Sequence, residues 1–295
     1  MGILLDRLAA KKLLVSDGAW GTMLQAKGMA PGSCTEEWNV SNPEAVKSVA
    51  KAYGDAGADL VLTNTFGGSR TKLEKFGFGD KVAAFNEAGA RLSVAGAPGS
   101  VIAASIGPTG EFLEPLGEMT VQQMEEVYGE QIAAVLKGGV KVLCIETMTA
   151  LEEAQCAIRA AKKLDKDVDV ICTMTFDATA QGFKTMMGLD VERAAAGLSE
   201  AGADVLGANC GNGIANMVKI AEQYRKVTGK PILVHANAGM PELVQGKTVF
   251  RETPQDMAGR VKDLVDAGAN IIGGCCGTTP AHIAAIKQAI DKLRS

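Results

Sequence analysis

The chain has no run of lysine and arginine: thirty basic side chains stand against thirty-four acidic ones, for a net charge of −4. Nucleic acid recognition needs a basic patch that neutralises phosphates, so nucleic acid is excluded as the main partner. No apolar stretch approaches the ~18 residues of a membrane span. The opening MGILLDRLAAKKLLVSDG sets Asp6, Lys11 and Lys12 where a signal peptide needs an unbroken apolar core, and Asp6 also breaks the myristoylation pattern. A cytoplasmic location is expected. No linker or low-complexity segment interrupts the chain, so residues 1–295 are expected to form one domain. With 47% hydrophobic and 22% charged residues, disorder is excluded. Seven cysteines, an odd count scattered through apolar segments, fit a reducing compartment better than a disulfide framework.

What is present is a repeated alternation. Short runs rich in Val, Ile and Leu predict strands near 13–18, 59–65, 101–106, 140–147, 168–176, 204–210, 231–237 and 269–275, with helical spacing between them. Asn42-Pro43, Thr253-Pro254 and Thr279-Pro280 each offer an N-cap followed by proline at the first helical position. Thr120 with Gln123, and Thr149 with Glu152, have the spacing of a capping box. The segments AGADLVLTNTF (56–66), AGADVLGANCG (201–211) and AGANIIGGCCG (267–277) share one frame, each a helix end, a buried strand and a polar strand terminus. Eight such units predict an α/β protein built as a single (β/α)8 TIM barrel, with a doubly wound open sheet as the competing fold.

In a barrel, chemistry gathers where strands end. In the shared frame Cys210 and Cys276 stand at equal height on the sixth and eighth strands, so both thiols are expected to face one central spot. Cys275 is out of phase and needs a bend, for which Gly273 and Gly274 are the candidates. Adjacent cysteines are poorly placed for a disulfide, because neighbouring Cα atoms sit ~3.8 Å apart, below the ~4.4 Å at which ordinary disulfides begin. Three thiolates converging at a barrel mouth suit Zn²⁺ with one open position, which in turn suits a thiol substrate. Packing and a glycine-rich phosphate site are the rival readings of GGCCG. Cys34, Cys144, Cys156 and Cys172 are expected to be buried packing residues, His235 a hydrogen-bonded core histidine, and His282 a surface residue.

DGAWGT, TNTFGGSRTKL, SIGPTGEFLEP, IET, GANCGNG, NAG and GGCCGTTPAHI, in order from about residue 10 to residue 290, resemble the homocysteine S-methyltransferase family, including the homocysteine-binding module of cobalamin-dependent methionine synthase. The resemblance implies a Zn²⁺ held by Cys210, Cys275 and Cys276, and homocysteine bound to it through sulfur. It implies that Asp17 and Glu146 receive the substrate's amino group, and that Asn237 occupies the open zinc position until the thiol arrives. Methyl transfer to homocysteine would give methionine.

The donor is expected from outside, because the chain ends at Ser295, just after the eighth helix. Betaine would call for an aromatic cage, whereas aromatics are 4% of residues and Gly67 and Thr147 stand where betaine-using relatives carry Tyr. A methylated corrinoid on a separate protein is the preferred donor, with S-methylmethionine or another sulfonium as the alternative. A reading from another class is a non-catalytic zinc or thiol-binding module of a larger assembly, whose fourth zinc position would be closed.

Overall fold

A computed structural model describes residues 2–244 and 247–294. Eight strands form its main sheet: β1 (Leu14–Val15), β2 (Leu60–Leu62), β3 (Val101–Ile106), β4 (Val142–Met148), β5 (Asp169–Met174), β6 (Val205–Gly213), β7 (Ile232–Asn237) and β8 (Ile271–Gly274). All neighbours pair in parallel, in the order β1-β8-β7-β6-β5-β4-β3-β2. A bridge from Ser16 to Leu60, and the Asp59 N–H donating to the Val15 carbonyl at 2.7 Å, join the two ends of that order. That junction makes the sheet a (β/α)8 barrel and rules out the open alternative.

Each predicted strand overlaps an observed one. β1 and β2 are shorter than expected, and β6 runs three residues further, through Gly213, with a register shift between Asn209 and Gly213. Two antiparallel hairpins were not anticipated: Asp177–Thr179 with Gly182–Lys184 after β5, and Glu242–Val244 with Lys247–Val249 after β7. They are extensions of βα loops, where segments too short to show a period carry little signal in sequence. No helix among the described residues is long and apolar enough to cross a membrane.

The eight barrel helices are α1 (Pro43–Asp55), α2 (Val82–Gly96), α3 (Val121–Lys137), α4 (Leu151–Leu164), α5 (Val191–Ala201), α6 (Ile214–Val227), α7 (Pro254–Gly259, resuming at Val261–Asp266) and α8 (Pro280–Arg294). Capping explains several starts. Thr120 and Gln123 form a full capping box on α3, as do Thr253 and Asp256 on α7. The Thr149–Glu152 box does not form: α4 starts one residue later than that spacing requires, with Ala150 as its N-cap. Asn42 occupies the N-cap of α1 without a side-chain bond, its Pro43 supplying the preset backbone angle.

The interior is layered. Leu14, Leu60, Val101, Val142, Ile171, Val205, Leu233 and Ile271 fill the lower barrel, where Leu4 and Leu8 of the N-terminal helix Ile3–Lys11 pack against them. That helix is tied in place by the Leu4 N–H to Asp169 Oδ2 at 2.8 Å and by a Lys11–Asp59 ion pair. Burying each such aliphatic side chain is worth about 1.5–3 kcal/mol. A second, larger cluster lies between the strands' outer faces and the helices, and includes Cys156 and Cys172; Cys144 belongs to the lower barrel and Cys34 to a small cluster under the loop after β2. All four are buried, as expected.

Candidate functional site

Strand alternation decides which residues face the axis. On β8, Ile271 belongs to the barrel interior and Ile272 to the helix side, so Gly273 and Cys275 point inward. On β6, Val205 is inside and Leu206 outside, which makes Asn209 the inward residue and Cys210 the outward one. The expected phase is therefore reversed: Cys275 is the cysteine that needs no bend, and Cys210 and Cys276 are the ones redirected.

Two local devices redirect them. Cys210 has φ 59°, in the left-handed region that non-glycine residues seldom occupy. Cys276 sits in a turn closed by the Thr278 N–H to the Cys275 carbonyl at 3.1 Å, with Gly277 at φ 82° in the glycine position of a type II turn. Gly273 and Gly274 do not bend the chain; both pair regularly with β7. They are glycines because of close approach: a Cβ on Gly274 would lie 2.4 Å from Thr278 Oγ1, and one on Gly273 2.7 Å from the Asp17 carbonyl.

The outcome is one cluster. Cys210 and Cys276 Sγ atoms are 3.9 Å apart, and all three sulfurs lie within 4.8 Å of one another. Hydrogen bonds from the other two thiols pull Cys210 well below its ordinary value, while contact with Cys210 pushes Cys275 and Cys276 up. Three sulfurs this close resist holding three negative charges unless a cation joins them. The donor set fits a soft divalent metal, and Asn237 adds to the fit: its side chain helps lower the Cys210 thiol, and its buried Oδ1 has no hydrogen-bond partner.

Asn209 ties the cluster to the next wall. Its Oδ1 accepts from the Thr147 N–H at 2.8 Å and the Thr173 hydroxyl at 2.7 Å, and its Nδ2 donates to Thr147 Oγ1 at 2.8 Å and approaches Glu146 at 3.4 Å and Cys275 Sγ at 3.9 Å. Thr147 is itself left-handed, φ 63°, a conformation unfavourable for a β-branched residue and held here by two bonds to one amide. Sequence reading missed Asn209, Ser105 and Thr173; the available signal was a polar residue in an inward position near the end of an otherwise apolar strand.

A cavity of about 370 Å³ opens above these groups, lined by the three cysteines, Glu146, Thr147, His235, Ser105, Trp20, Thr63, Asn64 and Phe66, among others. Glu146 is 7% exposed, accepts from the Ser105 hydroxyl, and is pushed up to about 7, mainly by burial. Asp17 is 0% exposed and stands behind the lining, its Oδ2 accepting from the Leu62 N–H at 2.8 Å and the Trp20 indole at 2.9 Å. Burial also pushes Asp17 up to about 7, with those two bonds opposing the rise. An arriving cation would restore the charge of either carboxylate.

The two histidines depart from expectation. His235 is buried, 2% exposed, but its Nε2 has no partner, and the residue lines the cavity; burial pushes it down to about 4 and keeps it neutral. His282 is not on the surface. At 7% exposure its Nδ1 accepts from the Thr279 N–H at 3.2 Å, replacing the acid of a capping box on α8, and its Nε2–H reaches the Glu252 carbonyl at 3.0 Å.

Fold and site together define a (β/α)8 barrel with a three-thiol centre at its mouth. A family model described as homocysteine S-methyltransferase matches residues 14–290, and the chain belongs to that family. It is 28% identical to methionine synthase of Mycobacterium tuberculosis over 309 aligned residues, which cover 99% of this chain and 26% of that protein. Against methionine synthase of Mycobacterium leprae the identity is 28% over 307 residues, 98% of this chain and 25% of that protein. The chain thus spans about a quarter of the length of these curated relatives. Among solved structures, the metallated form of the homocysteine methyltransferase MmuM from Escherichia coli superposes with a TM-score of 0.81 at 23% identity, covering 97% of this chain and 99% of that one. Its oxidized form gives 0.79 at 24% identity, with 97% and 98% coverage. At such identities the likeness speaks for the fold.

Proposed function

We propose that this barrel transfers a methyl group from an external donor to the thiol of homocysteine, giving methionine, with Zn²⁺ held by Cys210, Cys275 and Cys276. The observation that carries the reading is the convergence of three sulfurs within 4.8 Å on the wall of a cavity that also presents Glu146. Zn²⁺ in a three-thiolate setting supplies a position where a substrate thiol loses its proton near neutral pH. Asn237, through its unpartnered Oδ1, is the proposed occupant of that position before substrate arrives.

The chain's own groups then fix the substrate. Glu146 takes the ammonium group directly, while Asp17, from behind the lining, holds Trp20 and the end of β2 in place and adds negative potential. The left-handed Thr147 is clamped by Asn209, which ties the wall carrying Glu146 to the strand that carries the left-handed Cys210. A new carbon–sulfur bond forms as the donor's bond to the methyl carbon breaks on the opposite side.

A cavity of about 370 Å³ admits an amino acid but not a corrinoid, so a methylated corrinoid carried by a separate protein would present its methyl group at the mouth. Trp20 and Phe66 are the aromatic residues of the lining, too few for a closed cage around betaine. A sulfonium donor such as S-methylmethionine is the alternative.

The test is zinc content of the reduced protein, followed by zinc-edge X-ray absorption with and without L-homocysteine. One zinc per chain, with three sulfur neighbours becoming four on adding homocysteine, is the expected result. A sulfur count indifferent to homocysteine would leave a closed, non-catalytic site and overturn the proposal. Methionine formation from methylcobalamin, S-methylmethionine and betaine, assayed side by side, then identifies the donor.

A further inference from the structure

An ammonium group carries three N–H donors and needs three acceptors when it is taken out of water. The cavity lining offers one carboxylate, Glu146, already accepting from Ser105, and Asp17 lies behind the wall with its Oδ2 doubly occupied. Among the buried side-chain atoms of the lining residues, one nitrogen has no partner. His235 follows Leu233 on the inward face of β7, in register with Gly273 on β8, and a Cβ at Gly273 would come within 3.0 Å of the ring. Glycine there leaves the imidazole its space.

A ring buried only for packing would be better replaced by an apolar one, since a buried nitrogen with no partner carries a desolvation cost that nothing offsets. Nε2 of His235 is such a nitrogen. The ring is also not part of the candidate metal cluster, in which, among the described His, Cys, Asp and Glu side chains, only the three cysteines converge.

We propose that the His235 imidazole is a substrate-binding group that accepts a hydrogen bond from the α-ammonium of homocysteine, completing with Glu146 the cradle for the amino group. This rests on the methyl-transfer reading above and adds a residue specific for an α-amino thiol. A neutral acceptor beside a carboxylate receives a cation without bringing in a second negative charge.

The experiment compares L-homocysteine with 4-mercaptobutanoate, which is the same molecule without its amino group, by calorimetric titration of the zinc-loaded full chain. His235→Leu is expected to weaken homocysteine binding about tenfold and to leave 4-mercaptobutanoate within about twofold. His235→Gln, which keeps an acceptor, is expected to recover part of the loss. Equal weakening of both thiols by His235→Leu, with no recovery by His235→Gln, would make the ring a packing residue and overturn the inference alone, as would binding of both thiols unchanged from wild type. Wild-type protein that binds neither thiol would overturn the methyl-transfer reading, and this inference with it.

Discussion

The lower and upper halves of the barrel are made from the same strands and have opposite chemistry. Val142 and Cys144 sit in an apolar plug, whereas Glu146, the next inward residue of β4, faces a cavity. Leu233 gives way to His235 on β7, Ile171 to Thr173 on β5, and Ile271 of β8 to Cys275 just past that strand's end. Two or four residues along a strand separate a side chain that stabilises the fold from one that holds a polar network. Cysteine shows the contrast within one residue type: Cys144 is buried and its thiol pushed well up by desolvation, while Cys210 is pulled down by its sulfur neighbours. Burial alone makes a thiol inert, and clustering makes it a ligand.

The sharpest way to break this comparison is to remove one sulfur from the upper half. Cys210→Ser is expected to lose zinc on dialysis and to lower methyl transfer at least 100-fold, with little change in thermal unfolding of the metal-free protein; metal analysis and calorimetry read both. The converse belongs to the lower half. Leu233→Ala is expected to destabilise the fold by about 2–5 kcal/mol, measured by urea unfolding, while zinc stoichiometry stays unchanged. If Leu233→Ala released zinc at low denaturant, the two halves would not be separable.

Glu146→Gln should raise KM for homocysteine by about tenfold or more, with zinc content intact, because a charged acceptor is lost but not a metal ligand. The pH dependence of stability sharpens the role of Asp17. Its folded value, raised to about 7, exceeds the ordinary carboxyl value of 3.8, so the folded state holds a proton that the unfolded state has lost between these limits. Its contribution is therefore favourable at low pH and is lost as pH rises from about 4 through about 7. Urea midpoints of wild type and Asp17→Asn across that range should show a steeper decline in wild type. The smallest effect is expected outside the barrel interior: Thr253→Ala, removing the capping box of α7, should cost about 1 kcal/mol and leave both halves as they are.

The fold was legible because eight apolar runs separated by helical spacing admit few architectures, and the repeated AGAD/AGAN frame set the strands at one height. The three clustered cysteines were legible by their position at strand ends. Their directions were not, since phase along β6 and β8 depends on a left-handed Cys210 and on a turn after β8, and neither backbone angle is written in residue type. Asn209 was hidden for a related reason: its importance lies in the five groups around it, from β4, β5 and β8, which are distant in the chain. His282 looked exposed because a helix's first turn usually is, and only the packing of α7 on α8 brings the Glu252 carbonyl over it.

The helix Ile3–Lys11, seated under the barrel with Leu4 and Leu8 in its floor, blocks that end, so the cavity is approached from the end where the strands finish. Traffic at that end must take turns. In the proposed reaction the amino acid has to be inside before the donor arrives, and methionine cannot depart until the spent donor has stepped away. Under that proposal a barrel closed at one end would impose a queue, with homocysteine first in and methionine last out.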